Sequence, residues 1–246
     1  MEDLKEIYEK YYLELSNINQ ELLTLPDGYL EIKLKSYYQV IKGKRIGISK
    51  KPEIIKQLSR KEYLLERKKQ IENNLQTKTI ENFDTRTPRQ IIASLKRPYQ
   101  SVPHHYFYHP KAEKFKNRKY RNNTKEEHLK MRTTLDGIKV RSKSEQDYAD
   151  QFHHCGILFH YDKIITIFDN QPISPDFICM NPYNALEFYL EHFGALNKPG
   201  YDNHMCTKIR RYQSHGLILN KNLFVSFEFN TESSRDIEKS VSRFLY

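Results

Sequence analysis

Three acids far apart in the sequence are the residues that could act together chemically. Glu145 closes RSKSE (141–145), Asp176 lies in SPDF (174–177) and Glu191 in LEHFG (190–194), about fifteen residues after Asp176. Asp176 and Glu191 fall in or beside apolar segments, where an ionised carboxylate is costly unless something positive accompanies it. Two such acids on neighbouring strands suit a hard cation bound through oxygen, Mg²⁺ or Mn²⁺. Such an ion would lower the pKa of a bound water and neutralise charge on a phosphodiester undergoing in-line attack. Taken singly, each acid is explained as well by a helix cap or by a strand end facing water. The set of three in this order favours metal chemistry, with Asp176 and Glu191 as the pair that suggests a bound cation.

Strict alternation along a strand puts Glu191 and Phe193 on one face and the His192 side chain on the other. Glu187 shares the face of Glu191 and offers an alternative register. His104, His105 and His109 in PHHYFYHP (103–110) have no second cluster to complete a metal site and read as packing or exposed histidines. His153 and His154 end a helix, where a cationic ring favours the dipole.

The elements that must hold these residues lie from Gly137 onward. Ser142 and Glu145 form the S-x-x-E signature that opens a helix, predicted to run to Cys155. Apolar strands follow at Ile157–Tyr161, Ile164–Phe168, Pro175–Met180 and Leu186–Glu191. A helix over Pro199–His215, ended by Gly216, precedes a strand at Leu223–Phe229 and a final helix at Arg235–Tyr246. This α-β-β-β-β-α-β-α order predicts a mixed central sheet flanked by helices, an α/β (α+β) architecture. Upstream, residues 3–23 place Leu4, Ile7, Tyr8, Tyr11, Leu15, Ile18 and Leu22 along one helical stripe, and a second helix starts near Pro52 and runs to about 75. Short strands at 29–34, 37–41 and 45–48 lie between them after the Asp27-Gly28 turn. Three regions are expected: a helical hairpin arm with a small β insertion (1–76), a basic linker with Pro88, Pro98, Pro103 and Pro110 (77–136), and a catalytic domain (137–246).

Charge divides the chain unevenly. Residues 1–140 hold 30 Lys and Arg against 18 Asp and Glu, while residues 141–246 hold 11 against 13. A basic part beside an acidic one is what a metal-using enzyme of nucleic acids requires, although surplus lysines also serve solubility. Between Lys111 and Arg132 nine cations mix with Phe115 and Tyr120, so Lys116, Arg118, Lys119 and Arg121 are candidate phosphate contacts beside stacking rings. No run of about 18 apolar residues occurs and the opening MEDLKEIYEK lacks a signal-peptide core, so no membrane partner and a cytoplasmic location are expected. Cys155, Cys179 and Cys206 are too dispersed for a disulfide framework or a zinc site.

The string VRSKSE, PDF, LEHFG and KIRRY resembles the PD-(D/E)xK, restriction-endonuclease-like nuclease superfamily, and is similar to bacterial and phage proteins with an N-terminal helical arm. The likeness covers about 137–246, and more weakly 22–76. It implies a restriction-endonuclease-like sheet and Mg²⁺-dependent hydrolysis of phosphodiester bonds, DNA foremost, leaving a 5′-phosphate and a 3′-hydroxyl. It also implies Asp176 and Glu191 as metal ligands helped by the His192 carbonyl, Glu145 binding a second ion or a metal-bound water, and a lysine two residues after the second acid, where this chain has Phe193. Lys208, one turn before Tyr212 on the following helix, is the replacement expected to orient and help deprotonate the attacking water, with Lys143 in reserve. Arg141, Lys143 and Tyr212 join the expected nucleic-acid contacts, and the helical arm could pair two copies in a homodimer. The alternative is a catalytically inactive nuclease-fold module that binds nucleic acid without cutting it.

Overall fold

The computed structural model describes residues 4–77, 79–125, 127–166, 172–194 and 200–228, with 236, 237, 240, 241 and 244. They form two compact units, 1–109 and 110–246.

In the first unit α1 (Leu4–Leu22) and α2 (Pro52–Gln76) run antiparallel. Their register is fixed by two bidentate ion pairs: Arg60 on Glu21 at 2.8 and 2.9 Å, and Arg67 on Glu14 at the same distances. Between the helices β1 (Tyr29–Lys33), β2 (Ser36–Ile41) and β3 (Lys44–Gly47) form an antiparallel meander, as the turn residues predict. Gly28 enters it at φ +84°, where an added Cβ would stand 2.1 Å from the Val40 carbonyl oxygen, so no other residue fits without movement.

The expected linker over 77–136 is divided between the two units. Residues up to 109 pack on the arm, and the prolines that signalled a linker start short elements instead. Pro88 opens α3 (Pro88–Ser94) behind a Thr87–Gln90 capping box, Pro98 lies in the first turn of α4 (Arg97–Gln100), and Pro103 precedes a 3-10 turn at His104–Phe107. Gln70 and Asn74 of α2 tie this segment down through the Asp84 and Arg86 backbone, and the Tyr99 hydroxyl accepts from Leu30 N–H at 3.0 Å.

The second unit begins with α5 (Pro110–Lys116), then β4 (Arg121–Asn122) and a small hairpin of β5 (Arg132–Thr133) and β6 (Lys139–Val140). After α6 (Lys143–Cys155) the chain enters β7 (Leu158–Tyr161), leaves it through β8 (Lys163–Ile164), and returns in β9 (Phe177–Met180) and β10 (Glu187–Phe193). Then come α7 (Tyr201–Ser214) and β11 (Leu223–Phe227). The central sheet has the order β7-β9-β10-β11. The first three strands are antiparallel neighbours, and β11 is parallel to β10 because α7 carries the chain back across the sheet. The result is a mixed α/β architecture.

One expected strand differs. Ile164–Phe168 does not extend the central sheet: β8 pairs with β4, and Ile165 makes an isolated bridge to Ile173. Phe168 lies outside the described residues, as does most of the expected final helix, of which Asp236, Ile237, Ser240 and Val241 are helical.

The two sheet faces have different cores. Tyr148, Ala149 and Phe152 of α6 pack with Phe177, Cys179, Phe188 and Leu190 on one face. Tyr212 of α7 packs with Ile173, Leu217 and Leu223 on the other. No described helix is long and apolar enough to cross a membrane.

Candidate active site

Antiparallel pairing sets Leu190 opposite Phe177, which brings the following residue of β10, Glu191, beside the residue before β9, Asp176. Each acid takes a backbone donor from the other's segment. His192 N–H donates to Asp176 Oδ2 at 2.8 Å, and Asp176 N–H donates to Glu191 Oε2 at 3.3 Å. Both are buried, at 4 % and 2 % exposure. Across the sheet face, Lys208 and Tyr212 stand one turn apart on α7, the spacing that puts two side chains on one helical face. Lys208 Nζ forms an ion pair with Glu191 Oε1, and the Tyr212 hydroxyl lies 2.7 Å from Glu191 Oε2 and 2.9 Å from the Ser174 carbonyl. Lys143, the reserve lysine, faces solvent and pairs with Asp147, so Lys208 is the lysine that meets the acids.

The electrostatics are strained towards protonation. Burial pushes the Glu191 carboxyl up to about 8, the charge of Asp176 adds to the shift, and Lys208 and Tyr212 oppose it. Burial also raises the Asp176 carboxyl, with Lys208 and Arg141 pulling it down and Glu145 pushing it up. Burial alone would depress the Lys208 ammonium, but Glu191 and Asp176 outweigh it and hold the group above its ordinary value. Tyr212 has one hydroxyl proton for two acceptors. A neutral Glu191 can donate to the Tyr212 oxygen while Tyr212 donates to the Ser174 carbonyl; an ionised Glu191 accepts the Tyr212 hydrogen bond instead.

Glu145 stands apart from this pair. Its Oε2 accepts from Arg141 N–H at 2.8 Å, Ser142 N–H at 2.9 Å and the Tyr161 hydroxyl at 3.0 Å, which completes the capping box at the start of α6. Only Oε1 faces the other acids, and Arg141 lies between. One guanidinium nitrogen of Arg141 is 3.5 Å from Glu145 Oε1 and 3.1 Å from Asp176 Oδ1, and the other is 3.3 Å from Asp162 Oδ2. The three expected acids therefore meet as a linked pair plus one across an arginine. Among the described residues no three His, Cys, Asp or Glu converge tightly enough to hold a metal ion. The hard oxygens of Asp176 and Glu191, with no thiolate or imidazole beside them, fit Mg²⁺ or Mn²⁺ better than a softer ion.

Asp162 was not signalled by the sequence. It occupies a turn at φ +51°, is 1 % exposed, and gathers Asn123, Lys130, Ser174 and Arg141 around its carboxylate. An aspartate between two strands reads as an ordinary turn residue, and only the fold reveals its partners. The His192 side chain leaves on the opposite face, as alternation predicts, to Ser226 at 2.9 Å and Glu228 at 3.1 Å, so its backbone N–H is the group that reaches the acids.

The remaining candidates are distributed as follows. Glu187 is taken by Arg118, at 2.5 and 2.9 Å, which removes it as an alternative to Glu191. Arg118, Lys119, Tyr120 and Arg121 line a shallow cleft with Ile164 and Tyr189, while Lys116 ends α5 and faces solvent. His104 and His105 meet neighbouring rings edge-on, and His109 lies 3.8 Å from Glu21. None of Cys155, Cys179 and Cys206 is in a disulfide bond. No family model matches the chain, and comparison with curated proteins and with solved structures finds no significant match.

Proposed function

We propose that the second unit is a metal-dependent nuclease of the restriction-endonuclease-like kind, acting on phosphodiester bonds of DNA. The observation that carries this reading is the direct linkage of Asp176 and Glu191, two buried acids with raised pKa values, to Lys208 on the adjoining helix. The order α6, β7, β9, β10, α7, β11 supports it, with Glu145 on the first helix, Asp176 entering the second strand, Glu191 on the third and Lys208 on the helix that follows. Asp176 and Glu191 would hold Mg²⁺ or Mn²⁺, which supplies charge neutralisation at the phosphate and an acidified water. Lys208, held by Glu191 as an ammonium, orients the attacking water and offsets negative charge at the phosphate, the task that Phe193 cannot perform. Arg141 supplies a guanidinium matched to a non-bridging phosphate oxygen, and Lys119 and Arg121 offer cations for the backbone beyond it.

The test is incubation of the full chain with supercoiled plasmid and linear duplex in Mg²⁺ or Mn²⁺. Nicking that disappears in Asp176→Ala and Glu191→Ala is expected; nicking that persists in both removes these residues from the chemistry.

A second reading is favoured by one feature, the position of the Arg141 cation between Asp176 and Glu145. A protein whose acids are neutralised by its own arginine and lysine would keep the fold and bind DNA without cutting it. Salt-sensitive retention of DNA with no cleavage in any divalent metal is its signature.

A further inference from the structure

The positive charge of the first unit is densest in one short stretch. Helices α1 and α2 together carry eight Lys and Arg and eight Asp and Glu, and their buried arginines are each closed by one glutamate. The meander between them is different. Residues 33–51 contain Lys33, Lys35, Lys42, Lys44, Arg45, Lys50 and Lys51 and no acid at all. All seven are exposed. Arg45 is paired with Glu31 at 2.9 Å; no carboxylate among the described residues lies within 4.0 Å of the six lysine ammonium groups.

Their positions form a track. The turn joining β1 to β2 carries Leu34 and Lys35 at φ +48° and +64°, and the turn joining β2 to β3 carries Lys42 and Gly43 at +47° and +79°. These turns lie at opposite ends of β2. Ile48 N–H bonds to the Tyr37 carbonyl at 2.9 Å and Tyr37 N–H to Ser49 Oγ at 2.8 Å, which returns the chain to the first end. Lys33, Lys35, Lys50 and Lys51 therefore cluster at one end and Lys42 and Lys44 at the other, separated by a six-residue strand, about 20 Å at about 3.4 Å per residue. A single phosphate needs cations converging on a point. Cations strung over this length match a polymeric anion with a charge on each strand about every 3.4 Å. A lipid surface is less well matched, because the exposed apolar residues here are dispersed: Leu34 lies in the first turn, while Tyr29 and Ile46 stand on the outer strands at successive register positions, which point to opposite faces.

We propose that the β-meander of the first unit is a docking surface for the phosphate backbone of nucleic acid. It binds without regard to sequence, because lysines at strand ends and turns present charge and no base-reading geometry. The contact is independent of the acids in the second unit and persists without divalent metal.

The experiment is fluorescence anisotropy of a labelled duplex with the full chain in EDTA, at several salt concentrations, so that cleavage plays no part. Two variants with the same change in net charge are compared. Lys35→Gln/Lys42→Gln/Lys50→Gln should weaken binding at least tenfold at low salt and lower the log–log salt slope by about 2 to 3, since each lost phosphate contact removes about 0.9. Lys5→Gln/Lys10→Gln/Lys69→Gln, placed on the helices, should leave both quantities within twofold of wild type. Equal weakening by both variants would reduce the effect to net charge and overturn the proposal, as would an unchanged meander variant. Preferential binding to phosphatidylglycerol vesicles over duplex, lost in the meander variant, would reassign the surface to membranes. A cleavage-dead Asp176→Asn protein that still binds duplex in EDTA would leave this proposal standing while the catalytic reading is judged separately.

Discussion

Cations are paired in opposite ways in the two units. In the first, Arg60 and Arg67 each close on a single glutamate in a bidentate pair, and the charges cancel within one contact. In the second, Arg141 is shared among Glu145, Asp162 and Asp176, Lys208 serves Glu191, and the carboxyls of Asp176 and Glu191 are pushed towards their neutral forms. A closed pair is what a helix register needs. A cluster whose acids outnumber the cations within reach can take up further positive charge, a proton or a metal, and that capacity separates a site from a staple.

The comparison breaks most visibly at Lys208. If the second cluster is catalytic, Lys208→Ala lowers the cleavage rate by about a hundredfold or more at saturating metal, with the protein still folded by circular dichroism. A rate unchanged by this substitution would remove Lys208 from the chemistry. The arm should respond in stability alone. Glu14→Ala leaves Arg67 buried and unpaired and should cost about 3 kcal/mol in urea unfolding of the first unit, without changing the cleavage rate per folded molecule.

A pH series sharpens the contrast. In the metal-free protein, between the ordinary carboxyl value of 4.5 and the folded value of about 8, native Glu191 keeps a proton that the unfolded chain has released. Raising pH through that window therefore favours unfolding. The melting temperature in EDTA should fall from pH 5 to pH 8, and Glu191→Gln should flatten the fall; a variant as pH-sensitive as wild type would place the titration elsewhere. The smallest effect is expected at Lys143, whose exposed pairing with Asp147 is of the kind that contributes at most about 1 kcal/mol. Lys143→Gln should change cleavage less than twofold.

Local signals carried much of this organisation. The stripe on α1, the Ser142–Glu145 box and the alternation through Glu191 and His192 each depend on residues a few positions apart, and each appears at the expected place. Asp176 and Glu191 were legible as a pair because polar residues inside apolar strands need a reason to be there. What was not legible depends on long-range pairing. The prolines of 77–110 gave the same signal whether they marked a linker or opened helices, and the difference lies in Gln70, Asn74 and Tyr99, which hold the segment on the arm. Ile164 reads as a central strand by composition, yet its partner is Arg121, a residue with no strand pattern. Asp162 and the threefold role of Arg141 follow from how the chain closes around them, which no spacing in the sequence encodes.

The most direct test of the central claim is calorimetric titration of the metal-free protein with Mn²⁺ at pH 7 in two buffers of different ionisation enthalpy. If Asp176 and Glu191 grip the ion, binding displaces the proton held by Glu191, about one per site, so the observed heat differs between the buffers; Asp176→Asn should abolish binding. Equal heats in both buffers, or Mn²⁺ bound as tightly by Asp176→Asn as by wild type, would contradict it.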